Sequence, residues 1–421
     1  MYRRPCQTRV TASTAIATEQ SAATEETCGP LHGIRVLELG QVVAGPFCGQ
    51  MLADQGADVV KVEPPRVGDV LRQWGWGPDQ RDSLWWRVAG RNKRSITVDL
   101  RTADGQELIR HLARDVDIVV ENFRPGTMER WGLGYDVLSG INPGLILVRI
   151  SGFGQTGPYA ERAGYAAIGE AMGGLRALTG YADRPPTRVG VSLGDSLTGL
   201  MGAWGAVCAL HARQRTGRGQ VVDASIFESV LAITEGLVPE WHVARLQRER
   251  SGPTLPGIAP SNVYPTTDGH VLIAANQDSV FRRLTTVMER PEIADDPRYV
   301  DHRARGENMA HLDHVIGVWT QQFTSAELLE KLHAAGVPSG LVYEPADMIA
   351  DPHFRARQSL VEVPDDDHGS IVMPAVAPRL SETPGRVRWR GPLLGQHTDD
   401  VLRSAGLSAD HIAQLHDAGV I

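Results

Sequence analysis

From Gly33 onward the chain alternates short apolar runs with longer segments of helical spacing. IRVLEL, ADVVKVE, SITVDL, DIVVEN and LILVRI are rich in Val, Ile and Leu and read as buried strands. Between them, GPFCGQMLADQG and GQELIRHLARD read as helices, the first closed by a glycine. Strands that alternate with helices predict an α/β fold with a parallel sheet and crossover connections. From Asp195 the run DSLTGLMGAWGAVCALHARQRTG predicts a long helix with the aspartate as its N-cap, and the strand-like QVVDAS follows. RLQRERSGPTLPG is polar and carries Gly and Pro, as a linker would. A second αβ region comes next, with HVLIAAN and GLVYE as strands and VFRRLTTVMER and SAELLEKLHAAG as helices. The tail alternates short extended pieces with proline turns, then predicts the helix DDVLRSAG and an amphipathic end. No internal repeat is evident.

A length of 421 residues exceeds one ordinary core, so two domains are expected. The net charge of −8 argues against a nucleic-acid partner, because no basic excess exists to neutralise phosphates. No apolar run approaches a membrane span, so no membrane partner is expected. Cys6, Cys28, Cys48 and Cys208 lie far apart without a CxxC pair, which predicts neither disulfides nor zinc and fits a reducing cytoplasm. Asp365–His368 (DDDH) looks metal-like, but neighbours on a loop rarely converge on one ion, and it reads as a solvated acidic turn. Residues 1–30 are rich in Ser, Thr and Ala with few large apolar side chains, which predicts a disordered extension. Its first stretch carries Arg and no acid, like a transit peptide, but lacks an apolar face.

The first strand–helix–strand unit invites a dinucleotide reading, with Gly40, Gly45 and Gly49 after the strand and Glu63 ending the next. Their spacing is not G-x-G-x-x-G, and Pro46 follows the central glycine. A helix start of this kind can still hold another phosphate or polar group.

Six stretches together resemble the class III CoA-transferases: GIRVLELGQVVAGPFCGQMLADQGADVVKVEPP, NKRSITVDL, VENFRPGTMERWGLGYDVL, SGFGQTGPYAERAGYAAI, GDSLTG and PLLGQHTDDVL. The likeness runs from about Gly33 to the C-terminus, in the family's order. It implies a Rossmann-like large domain built from both ends of the chain, a smaller αβ domain, and a homodimer of two interlocked rings. The corresponding division is 31–228 for the first part of the CoA-binding domain, 229–257 for a linker, 258–345 for the small domain, and 346–421 for the return linker and the rest of the large domain. The implied substrates are acyl-CoA and a carboxylic acid, with no permanently bound cofactor and no metal. The implied catalytic acid is Asp195. CoA-contacting positions of the family match Val42, Ala44, Lys93, Asn122, Phe123 and Arg130. Val43 and Pro64 depart from the formyl-CoA:oxalate branch, as does the absence of a glycine-rich insertion before HVLIAAN. These departures point to larger dicarboxylates, with succinyl-CoA as donor.

The same superfamily contains 2-methylacyl-CoA racemases, whose second base is a histidine in an AG-H-D segment. Here the segment is Ala163-Gly164-Tyr165-Ala166, and a phenol with a free pKa of about 10 accepts protons poorly at neutral pH. A CoA-binding protein without transferase activity is the other alternative. Moving CoA between carboxylates suits a carboxylate nucleophile, which forms an anhydride and then a thioester. Gly194 and Ser196 are small flanks that would admit acyl-CoA, and Tyr165 would line the pocket. Without the resemblance, Asp195 is an ordinary helix cap, Lys93 and Arg130 are surface charges, and Phe123 is core.

Overall fold

In a computed structural model that describes residues 29–77 and 82–421, the alternating segments form one six-stranded parallel sheet. Its strands are β1 (Arg35–Glu38), β2 (Asp58–Glu63), β3 (Lys93–Thr97), β4 (Ile118–Glu121), β5 (Ile146–Ser151) and β6 (Val221–Ser225). The order is β3-β2-β1-β4-β5-β6, with Val36 opposite both Val59 and Ile118. The chain therefore winds outward in both directions from the β1–β4 seam, and the loops after these strands open a crevice at their carboxyl ends. Most of the expected disordered extension, with Cys6 and Cys28, lies outside the described residues.

Strand alternation sorts the apolar side chains to two faces. On one face Val36, Val59, Ile118, Val120, Ile146 and Val148 pack under the helices Ala44–Asp54 and Leu193–Thr216. Those two helices approach closely because the long one presents glycine: a Cβ on Gly199 would lie 2.7 Å from the Ala44 carbonyl oxygen. On the other face Leu37, Val119 and Leu147 meet Val401, Leu402, Ile412, Leu415 and Ile421, so the C-terminal helices Thr398–Ser404 and Ala409–Asp417 complete the core begun by β1.

A separate apolar core gathers residues 259–337 around the antiparallel strands β7 (Ser261–Pro265), β8 (His270–Ala274) and β9 (Ser339–Leu341). The helices Asp278–Val287, Met309–Thr320 and Ser325–Ala334 supply Phe281, Leu284, Ile316 and Leu328 to it.

Two expectations need correction. The helix Leu193–Thr216 is long and apolar enough to cross a membrane by length and composition, although it packs here on β5 and β6. The DDDH segment does form the turn between β10 (Leu360–Asp365) and β11 (Gly369–Pro374), but Asp365 is buried rather than solvated. It accepts the Asp367 and His368 N–H groups and pairs with Arg390 at 2.8 Å.

Candidate active site

The loop after β1 is the first wall of the crevice. Val42 adopts φ +69°, a left-handed conformation that costs a β-branched residue on the order of 1–3 kcal/mol, so its surroundings must impose it. The imposing groups are identifiable. Asp69 accepts the Val42 N–H at 3.0 Å, Asn122 bonds both the N–H and the carbonyl of Gln41, and the Lys61 ammonium donates to the Gly40 carbonyl. Asn122 thus ties the loop after β4 to the loop after β1, across the seam where the winding reverses. Phe123 follows, its N–H donated to Glu121 at 2.8 Å and its ring edge-on to Trp131. Burial pushes the Glu121 carboxyl up to about 7, against the pull of Arg149.

Behind this wall lies a buried charge network. Lys93 is fully buried, pairs with Glu38 at 2.8 Å and donates to the Pro46 carbonyl at 2.6 Å. Lys61 pairs with Glu38 and Asp69. Glu63, the acid that invited a ribose-binding reading, is engaged by Arg72 and by the Ser95 hydroxyl. Lys93 therefore does not reach the crevice, contrary to the sequence expectation. It belongs to the foundation of the loop that does.

The opposite wall comes from residues 160–167 and from the start of the long helix. Together they enclose a cavity of ≈ 730 Å³ lined by Val42, Ala44, Asn122, Phe123, Tyr165 and Asp195 among others. Trp74, Trp85, Arg124, Arg162 and Arg188 also face it. An adjoining cavity of ≈ 1120 Å³ shares Val43, Trp85, Arg188 and Ser192 with the first and has Ser196 in its lining. Among the described residues, no histidine lines the Asp195 cavity.

Asp195 is not the helix N-cap. Ser192 occupies that position without a side-chain capping bond, and Asp195 is the third residue of the helix. Its carboxylate makes no hydrogen bond or ion pair to another described residue. Burial pushes it up to about 6, the nearby Glu170 adds to the rise, and Arg188 pulls the other way. The first-turn position still places it in the positive field of the helix terminus. A half-buried, unbonded carboxylate facing a cavity has its lone pairs free for chemistry, which a capping aspartate does not.

Gly194 is buried behind Asp195 and is outside the cavity lining. Its smallness serves packing, because a Cβ there would meet the Glu170 Cγ at 3.0 Å and the Ile226 Cγ2 at 3.2 Å. Arg130 is exposed outside the cavity lining and donates to the Thr127 hydroxyl at 2.8 Å. Three groups that shape this site carry no signal in the sequence. Asp69 and Lys61 act on the loop from separate segments, and no local motif signals them. Glu170 is 24 residues from the glycine whose N–H it accepts.

Comparison with known proteins identifies the family. CoA-transferase family III matches residues 31–398. The chain is 54% identical over 394 residues to succinyl-CoA–D-citramalate CoA-transferase of Chloroflexus aurantiacus, covering 93% of this chain and 98% of the relative. It is 37% identical over 380 residues to succinate–glutarate CoA-transferase of Agrobacterium fabrum, covering 89% and 95%. Among solved structures, a CAIB/BAIF family protein from Brucella suis superposes with a TM-score of 0.79 at 37% identity, covering 90% of this chain and 100% of that one. The family match over residues 31–398, together with these relatives, shows that the chain belongs to CoA-transferase family III, as an enzyme that transfers coenzyme A.

Proposed function

We propose that the enzyme moves CoA from succinyl-CoA to a second dicarboxylic acid, with Asp195 as the covalent nucleophile. The observation that carries this reading is the unbonded Asp195 carboxylate, half-buried in the first turn of its helix and facing the cavity. An Asp195 oxygen attacks the thioester carbonyl carbon, the C–S bond breaks, and CoA thiolate leaves behind a succinyl–aspartyl anhydride. The thiolate then attacks the aspartyl carbonyl, releasing succinate and leaving an aspartyl-CoA thioester. The acceptor carboxylate repeats the sequence in reverse, and Asp195 is regenerated with no net proton change. Water must be kept out while the anhydride exists, because hydrolysis would waste the thioester. The two adjoining cavities supply length for an extended CoA chain. Among the described residues, no histidine lines the Asp195 cavity to act as a second base, which disfavours the racemase chemistry.

Arg188 is the group we assign to the far carboxylate of the dicarboxylate. It lines both cavities, its one hydrogen bond is to the Ser192 hydroxyl at 3.2 Å, and it forms no ion pair among the described residues. Arg162, by contrast, is stacked on Tyr159. Arg188→Gln should lower kcat/KM for a dicarboxylate acceptor about 100-fold, the worth of a lost charge-assisted bond pair, and change a monocarboxylate acceptor by no more than about tenfold, the part owed to its pull on Asp195. Equal losses on both acceptor classes would remove the assignment.

A homodimer is part of the same proposal. The long helix leaves Leu200, Trp204 and Val207 exposed, and Tyr165, Ile168 and Met172 beside the cavity are exposed as well. Apolar surface of this kind is what a second copy would cover.

Activity should follow the ionisation of Asp195. Its folded-state value is raised, so the reactive carboxylate is present above about 6 and is lost as pH falls through that point. The kcat/KM for succinyl-CoA should therefore fall steadily in acid, and a flat profile between pH values of about 5 and 8 would contradict a carboxylate nucleophile. The covalent step is tested by incubating the enzyme with succinyl-CoA, quenching with hydroxylamine or borohydride, and mapping the modified residue by mass spectrometry. Modification at Asp195 is expected, and absence of an adduct there would overturn the mechanism. An exchange assay over mono- and dicarboxylates identifies the acceptor.

A further inference from the structure

The carboxylate of Glu170 is fully buried, yet each oxygen is engaged. Oε1 accepts the N–H of Gly194, the residue before Asp195, at 3.2 Å. Oε2 pairs with Arg176 at 2.8 Å. Glu170 sits on the helix Ala166–Met172, whose N-cap residue is Tyr165. The missing side chain at Gly194 is what lets the two helices meet, since a Cβ there would press on Glu170 itself.

We propose that Glu170 is a positioning residue for CoA transfer: one buried carboxylate locks the first turn carrying Asp195 to the helix carrying Tyr165, and keeps a negative charge behind the nucleophile. The proposal rests on Asp195 as the nucleophile and adds a partner that sets its place and its basicity. The chemistry explains why such a partner is useful. The helix terminus and Arg188 both stabilise the Asp195 anion, and an over-stabilised carboxylate is a poor attacking group. A second carboxylate behind it restores basicity while leaving the anion dominant at neutral pH.

Few other charges compete for this role. Around the Asp195 turn, Asp54 of the helix Ala44–Asp54 is held by Arg91 and Asn92, and Glu228 of the helix Ile226–Leu231 is held by Ser225. Arg149 on β5 is taken by Glu121 and Glu129, and Asp223 on β6 accepts the Gln155 N–H. Arg162 and Arg124 face the cavity, the first stacked on Tyr159. Among the described residues, Glu170 pushes the Asp195 carboxyl up beyond what burial does, and Arg188 pulls it down.

The test separates position from charge. Glu170→Gln keeps an oxygen that can accept the Gly194 N–H but loses the charge. Its kcat/KM–pH midpoint should move down by about half a unit to one unit, with kcat reduced about three- to tenfold and KM for succinyl-CoA within about twofold of wild type. Glu170→Ala loses both contributions and should lower kcat about 100-fold, of which Glu170→Gln recovers most. Should the alanine variant fail to fold, the pH midpoint of the glutamine variant still decides. An unmoved midpoint, whatever the kcat, would overturn the proposal. Adduct mapping on the wild-type enzyme runs alongside: a missing Asp195 adduct defeats the nucleophile reading, whereas an intact adduct with an unmoved Glu170→Gln midpoint defeats only the role of Glu170.

Discussion

Asp195→Ala should lower CoA transfer by roughly 10⁴-fold or more, because among the described residues no other carboxylate lines the cavity to replace a covalent nucleophile. Asp195→Asn should lose as much, since an amide keeps the shape but not the attacking oxygen. Asp195→Glu keeps the chemistry but moves it by one methylene, and a misplacement on the order of 1 Å costs about 100-fold. Succinyl-CoA should still bind each variant, because the loop wall is held by Asn122, Asp69 and Lys61 rather than by Asp195. Calorimetric binding alongside steady-state exchange checks both halves. Residual turnover of Asp195→Asn above a tenth of wild type would show that transfer does not pass through Asp195.

Lys93→Met should be felt as lost stability instead of lost CoA contact. Its ammonium is buried against Glu38 and the Pro46 carbonyl, and burial pulls its pKa below the ordinary lysine value despite the attraction of Glu38. Removing one partner of a buried pair leaves the other under-compensated, at a cost of about 3–5 kcal/mol. Denaturant unfolding followed by circular dichroism should show the loss, with KM for succinyl-CoA little changed in the fraction that folds. A variant with wild-type stability and a sharply raised KM would return Lys93 to the role that its NKRS motif suggests.

The contrast between these two residues shows what the chain makes legible. Strands such as IVVE of β4 and ILVRIS of β5 are buried throughout, and a cluster of Val, Ile and Leu is visible without any partner. Asp195 is visible as well, because a lone acid ahead of a long apolar helix stands out, although the pattern cannot distinguish a cap from a third helical residue. Burial of Lys93 is hidden, since it depends on Glu38 and Lys61 arriving from two other strands. The left-handed Val42 is hidden for the same reason: nothing in VVAGP marks a strained residue until Asp69 and Asn122 are brought against it. Gly194 is legible as a small residue beside Asp195, but its close packing on Glu170 is not, because Glu170 arrives from another helix.

The C-terminal helices have one more consequence, which concerns the order in which the chain is made. Ile412, Leu415 and Ile421 cover Leu37, Val119 and Leu147, and the Val420 carbonyl accepts the Asp99 N–H at 2.7 Å. A ribosome releases β1 well before this covering. Residues 259–337 can close their own core while one face of the parallel sheet still stands open to solvent. During that interval the nascent chain displays an uncovered sheet face, which is where chaperone capture or aggregation would strike.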